Sequence, residues 1–290
     1  MRTLLLFVLS AVTLFSLEYY VANPKPVNGK STLITFPKEE GIVYKDVTLG
    51  KKRFTIFQAP LQRDLCYVII PFSYYDKATK KRLKIHYSKE NKAKTQTLLI
   101  KLQNGKYAKE SIKVSSSKVN PRSKAVKKRI SKEYNEAMRI YHTVTPKSYL
   151  SRPFILPMHS TITSAFGKAR VYNGSLKGYH SGTDFRAKVG TPVLAANDGV
   201  VVLVKDRFYS GGTVILDHGE GIYTCYFHMS KFAVDEGDMV KRGETLGLSG
   251  KSGRVTGPHL HFAARVDGVQ VDPLQLIELL NNNLLKENNK

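Results

Sequence analysis

Along the first part of the chain, apolar residues alternate with polar ones or gather in short runs: STLITF, KRFTIFQA, CYVIIPF, RLKIHYS, TLLIKLQNGKY and ESIKV. A period of two sends successive side chains to opposite faces, so these runs between Val27 and Val119 predict β-strands. Strands of this length, separated by turn residues, predict a small β-sandwich. Asn104-Gly105 between TLLIKL and KYAKESIKV predicts a tight hairpin turn, because both residues tolerate positive φ.

Between Asn120 and Lys147 the period lengthens. Val126, Ile130, Tyr134, Ala137, Met138 and Tyr141 recur at helical spacing behind Ser123 as N-cap, which predicts an amphipathic linking helix. Pro146 and Pro153 bracket KSYLSRPFILP, an extended connector. After Phe154, glycine-rich turns separate short runs such as TPVLAANDGVVVLVKD, GGTVILDHG and GIYTCYFHMS, which predict a second, all-β domain. A short terminal helix follows, with Asp272 as N-cap and Pro273 in its first turn.

The opening MRTLLLFVLSAVTLFSLEYY places an early arginine before an apolar run and then small and polar residues, which predicts a secretory signal peptide over residues 1–17. An uncleaved anchor is the rival reading, although a span needs ~20 apolar residues. The expected organisation is therefore a signal peptide (1–17), an accessory β domain (23–119), a helical linker (120–150), a second β domain (151–275) and a helical tail (276–290). The chain is expected to be mainly β and exported.

The formal charge of +23 over 290 residues calls for an acidic neighbour: nucleic acid, anionic lipid or an anionic wall polymer. Export argues against nucleic acid, and the lysines are scattered without a recognisable nucleic-acid module. A weak attraction to the wall or membrane surface remains, and a solvated lysine-rich surface accounts for the charge equally well. The two cysteines, Cys66 and Cys225, lie in apolar runs and are expected to be buried thiols that build no zinc site.

The stretch TGPHLHF carries the chemistry. On a strand, His259 and His261 share one face while Leu260 and Phe262 share the other. An isolated pair would read as a solvated strand face, so partners are needed. GYHSGTDF supplies His180 and Asp184, and YFHMS supplies His228. Imidazole and carboxylate are good zinc donors, and the lack of cysteine points away from a closed thiolate site.

From about residue 160 to 273 the chain resembles the lysostaphin/LytM-type zinc metallopeptidases that cut peptidoglycan peptides. The matching blocks are TSAFGKAR, YHSGTDFRAKVGTPVLAANDGVV, GGTVILDHGEGIYTCYFHMS and GDMVKRGETLGLSGKSGRVTGPHLHF. The resemblance implies one zinc ion held by His180, Asp184 and His261, with His228 and His259 as the catalytic histidines beside it. His218 is expected to be structural, and His86, His142 and His159 to lie outside the site. Gly247, Gly250, Gly253 and Gly257 read either as turn residues or as a groove wall that an extended peptide can approach closely. The resemblance also implies a periplasmic location, stem peptides of peptidoglycan as substrate and hydrolysis of the bond between D-alanine and diaminopimelate, with D,D-carboxypeptidase activity as a companion expectation. The alternative reading is a non-catalytic wall-binding module that activates a separate amidase.

Overall fold

The computed structural model describes residues 17–113, 116–119 and 121–286. The predicted signal peptide falls outside the described residues except for Leu17, which is buried in the first core. Among the described residues no helix is long and apolar enough to cross a membrane.

The alternating runs form two four-stranded antiparallel sheets. One runs in the order Tyr20–Ala22, Ser31–Pro37, Leu65–Pro71, Phe57–Gln58. The other runs Lys52–Thr55, Ile42–Leu49, Lys80–Lys89, Lys92–Lys101. Ile34, Phe36, Val68 and Ile70 of the first sheet meet Val47, Leu83 and Ile85 of the second in a shared core. This unit begins before residue 23, because Tyr20–Ala22 pairs with Leu33–Thr35.

The first sheet is buried on both faces. Leu33, Tyr67 and Ile69 point away from the sandwich and join Leu150, Leu276 and Leu280 in the core of the second unit. Each such side chain contributes about 1.5–3 kcal/mol when removed from water, so the two units share one apolar interface rather than touching at a polar surface.

Asn104-Gly105 does not join two strands of a hairpin. The tight turn lies at Glu90-Asn91, where both residues take positive φ (50° and 61°) and Lys89 pairs with Lys92. After Gly105 the chain leaves the sandwich, and Lys109–Ile112 pairs in parallel with Ala169–Tyr172. A parallel pair cannot be closed by a hairpin. Asn28 Oδ1 accepts from the Gly105 amide and Asn104 Oδ1 from the Lys106 amide, so the turn chemistry serves to redirect the chain.

The linking helix spans Lys124–Tyr141, with the Ser123 side chain accepting from the Val126 amide. Ala137 and Tyr141 pack on Tyr223, Cys225 and Ala263 of the second unit. Tyr134, expected on the apolar stripe, is 61% exposed, whereas Glu133 is buried. Glu133 pairs with Arg129 and accepts from the Phe208 amide, which satisfies its charge. Both thiols are free; Cys225 is buried, but Cys66 is only half-buried, because it lies toward the Pro37 end of its strand pairing.

The second unit is built on a long antiparallel sheet in the order Ile162–Ser164, Thr183–Arg186, His259–Val266, Ile222–Phe232, Gly211–Asp217, Gly199–Arg207, Met239–Val240. The terminal helix Pro273–Asn283 starts where expected, with Asp272 accepting from the amides of Leu274 and Gln275.

Candidate metal centre and groove

Strand register assembles the centre. Thr183–Arg186 lies antiparallel to His259–Val266 with Asp184 directly opposite His261, and Ile222–Phe232 sets Phe227 opposite His261 on the other side. Leu260 and Phe262 point into the core, fully buried, so His259 and His261 share the opposite face. His180 enters from the segment just before Thr183. Gly182 makes that approach possible: a Cβ there would stand 2.3 Å from the Phe262 carbonyl oxygen and 2.6 Å from His261 Nε2.

Three ligand atoms converge. His180 Nε2 and His261 Nδ1 each lie 2.8 Å from Asp184 Oδ1, and 3.0 Å from one another. All three residues are buried. The Phe227 ring stacks on His261, with centroids 5.3 Å apart and planes nearly parallel. Burial pushes the Asp184 carboxyl up, but hydrogen bonds and charge from His180 and His261 prevail and hold it well below the usual carboxylate range. Burial pushes His261 down to about 4, against the pull of Asp184.

The outer hydrogen bonds select tautomers. His180 Nδ1 lies 2.9 Å from the Ala165 carbonyl, which only accepts, so Nδ1 carries a proton and Nε2 turns to the centre. Nε2 lies 2.8 Å from Asp184 Oδ1, a contact that a shared proton satisfies and that a metal ion would satisfy in its place.

His228 Nδ1 donates to the Ser252 carbonyl and His259 Nδ1 to the Gly257 carbonyl, both at 2.9 Å. Each therefore keeps Nε2 for the groove, and His259 Nε2 lies 3.7 Å from Asp184 Oδ1. The two rings are 4.8 Å apart. His228 holds φ of 65°, an unusual conformation for a side-chain-bearing residue. Burial, together with the neighbouring His261 and His259, pushes its ring well below the ordinary histidine range, which keeps it neutral.

The five residues singled out from the sequence thus line one cavity of about 510 Å³. His218 does not join them: its Nδ1 bonds the Asp198 carbonyl and its Nε2 bonds Thr224 Oγ1, both at 2.7 Å, so the ring is fully occupied in the core. His142 and His159 are exposed, and His86 sits between Thr48 and Thr95 in the first unit. Of the four glycines, only Gly257 lines the groove with open space where a Cβ would be; at Gly247, Gly250 and Gly253 a Cβ would collide with backbone.

Pattern reading missed the groove's charged wall. Glu110, on Lys109–Ile112, lies 2.8 Å from Arg170 and 3.5 Å from Lys168, and Arg170 reaches Asp184 Oδ2 at 3.2 Å. Arg170 stands in the matching block TSAFGKAR, but its two acid partners come from separate strands, so no local spacing reveals them. Tyr172, Tyr209 and Arg254 line the same cavity.

Residues 178–273 match the model of peptidase family M23. The peptidoglycan DD-endopeptidase ShyA of Vibrio cholerae is 47% identical over 96 residues, 33% of this chain and 22% of that protein. The DD-carboxypeptidase/endopeptidase Mpg of Neisseria meningitidis is 42% identical over 97 residues, again 33% of this chain and 22% of that protein. The matched segment thus spans about a fifth of the length of both curated relatives (22%). A solved Pseudomonas aeruginosa structure, described as a candidate peptidase M23, superposes with a TM-score of 0.65 at 25% identity, covering 87% of this chain and 95% of that one. The segment that matches peptidase family M23, residues 178–273, is thus the one that holds the converging His180, Asp184 and His261.

Proposed function

We propose that the chain is a zinc-dependent peptidoglycan endopeptidase that acts in the periplasm on the cross-link between D-alanine and diaminopimelate, with D,D-carboxypeptidase activity as a secondary capacity. The observation that carries this reading is the convergence of His180 Nε2, Asp184 Oδ1 and His261 Nδ1 on one point of an open groove. Two nitrogens and one oxygen suit zinc, and three protein ligands leave a position for reaction. When bound there, zinc would polarise a peptide carbonyl and provide a water-derived nucleophile near neutral pH.

The remaining chemistry falls to the chain's own side chains. His228 is held neutral, with Nδ1 tied to the Ser252 carbonyl, so its Nε2 is ready to take a proton. His259 offers the second free Nε2, on the same face as His261 and beside Asp184. The activities for which the Vibrio and Neisseria relatives are named support a D,D bond as the target. No residue of the expected ligand set is missing, which counts against a non-catalytic amidase activator. The +23 charge suits stem peptides that carry free carboxylates.

The test is digestion of purified cross-linked muropeptide dimers by the full zinc-loaded chain, read by mass spectrometry. Release of monomers is expected. Intact dimers beside cleaved pentaglycine would move the assignment to glycine-bridge cleavage, and no cleavage of either would favour the non-catalytic module.

A further inference from the structure

Arg254 stands in the turn between Lys251 and His259 and lines the groove with His228 and His259. Its guanidinium carbon lies 4.5 Å from the ring centroids of both Tyr172 and Tyr209. Two aromatic rings hold a cation in place through their quadrupoles, yet a ring supplies no oxygen to match the planar N–H fork of a guanidinium. The fork is therefore positioned without being consumed.

The backbone beneath it is equally constrained. The Arg254 amide donates to the Tyr209 carbonyl at 2.9 Å. Ser252 Oγ accepts from the Gly212 amide and donates to the Met229 carbonyl. Gly253 takes φ of +78°, and a Cβ there would stand 2.5 Å from both Gly211 N and the Tyr209 oxygen. The loop holds one shape, and that shape presents Arg254 to the cavity.

Charge accounting isolates this residue. The acids lining the groove are Glu110 and Asp184, and both are engaged by Arg170. Among the described residues no carboxylate lies within ion-pair distance of Arg254, and Lys113 at the rim is exposed, where solvent screens it. A half-buried guanidinium with its edge free, in a groove that receives peptides, matches the two oxygens of a carboxylate.

We propose that Arg254, clamped by Tyr172 and Tyr209, is a specificity-determining residue that binds a free carboxylate of the peptide substrate. The proposal rests on the reading of the groove as a peptide-cleaving site. A phosphate would also meet a guanidinium fork, but a wall peptide presents carboxylates at the groove itself.

The experiment compares a cross-linked muropeptide dimer bearing free carboxylates with the same dimer fully amidated, using the full chain and its Arg254→Gln and Arg254→Lys variants. Kinetics give kcat and KM on the zinc-loaded protein, and calorimetry gives affinity on chelator-treated protein, where no turnover occurs. The unsubstituted chain is expected to favour the free-acid dimer, and Arg254→Gln to raise its KM and dissociation constant by roughly 10- to 100-fold, the range of a charge-assisted bidentate pair. The amidated dimer should lose little, and Arg254→Lys should retain part of the preference. An equal loss on both dimers, or no loss on either, overturns the proposal, as does failure of the unsubstituted chain to distinguish them in binding. If neither dimer is cleaved, the endopeptidase reading fails on its own, while the calorimetric preference still decides the role of Arg254.

Discussion

The Arg170 guanidinium lies 3.2 Å from Asp184 Oδ2, the carboxylate oxygen that His180 and His261 do not touch. Because Glu110 holds the same guanidinium at 2.8 Å, the contact orients the Asp184 carboxylate and turns Oδ1 toward the two imidazoles. Outer partners of this kind set ligand geometry, and their loss lowers metal affinity by about 10- to 100-fold. Arg170→Ala is expected to fall in that range, measured by competition with a chelator, and Arg170→Lys to lie between, since an ammonium cannot bridge two carboxylates with a planar fork. Unchanged affinity in Arg170→Ala would remove this residue from the metal site.

The ligand set and the two flanking histidines should separate by metal content. His180→Ala, Asp184→Ala and His261→Ala each remove one of the three converging atoms and are expected to purify with little zinc. His228→Ala and His259→Ala leave that triad whole and should retain zinc while turnover falls by ~10²–10⁴-fold. Full zinc in His261→Ala, or zinc loss in His228→Ala as great as in His180→Ala, contradicts the division.

Tyr67 joins the two units through a hydrogen bond from its hydroxyl to Glu220 Oε2, both groups being buried. Burial pushes the Glu220 carboxyl up, and the bond from Tyr67 opposes that shift. Tyr67→Phe keeps the ring but deprives the carboxylate of this donor, at a cost of about 1–3 kcal/mol in unfolding free energy by urea titration. Adding Glu220→Gln should recover part of the loss; additive losses would show that the two side chains do not act together.

Burial raises Asp267 from 3.8 to about 6, against the pull of Lys52. Between those values the folded chain binds more protons at this group than the unfolded chain, so its contribution to stability falls as pH rises from about 4 to about 6 and stays lost above. Asp267→Asn removes the penalty and suits the positive φ of 46° at this turn. The variant is expected to unfold at higher urea than the parent at pH 7.5, by ~1–2 kcal/mol, with the difference closing toward pH 4. A gap of the same size at both pH values would exclude titration of Asp267 as the cause.

Some features were legible from composition and period alone, because local physics decides them. Alternation marked the sandwich strands, the 3.6-residue recurrence marked Lys124–Tyr141, and the caps at Ser123 and Asp272 stand where expected because each satisfies amides only two or three residues away. In TGPHLHF the face shared by His259 and His261 follows from the strand period itself. Assignment of His180, Asp184, His228, His259 and His261 to one site came from resemblance, since spacing along the chain says nothing of distances across it.

Long-range pairing decided the rest. Asn104-Gly105 encodes a turn but not its partner, and only the parallel pairing of Lys109–Ile112 with Ala169–Tyr172 brings Glu110 to Arg170. The double burial of Ser31–Pro37 depends on a helix more than two hundred residues later, and the clamp on Arg254 joins Tyr172, at the end of the strand Ala169–Tyr172, to Tyr209 in a distant turn. A side chain's period names the face it takes, whereas its charge and ring partners are chosen by which strands lie next to one another, and that choice is made by burial summed over the whole chain.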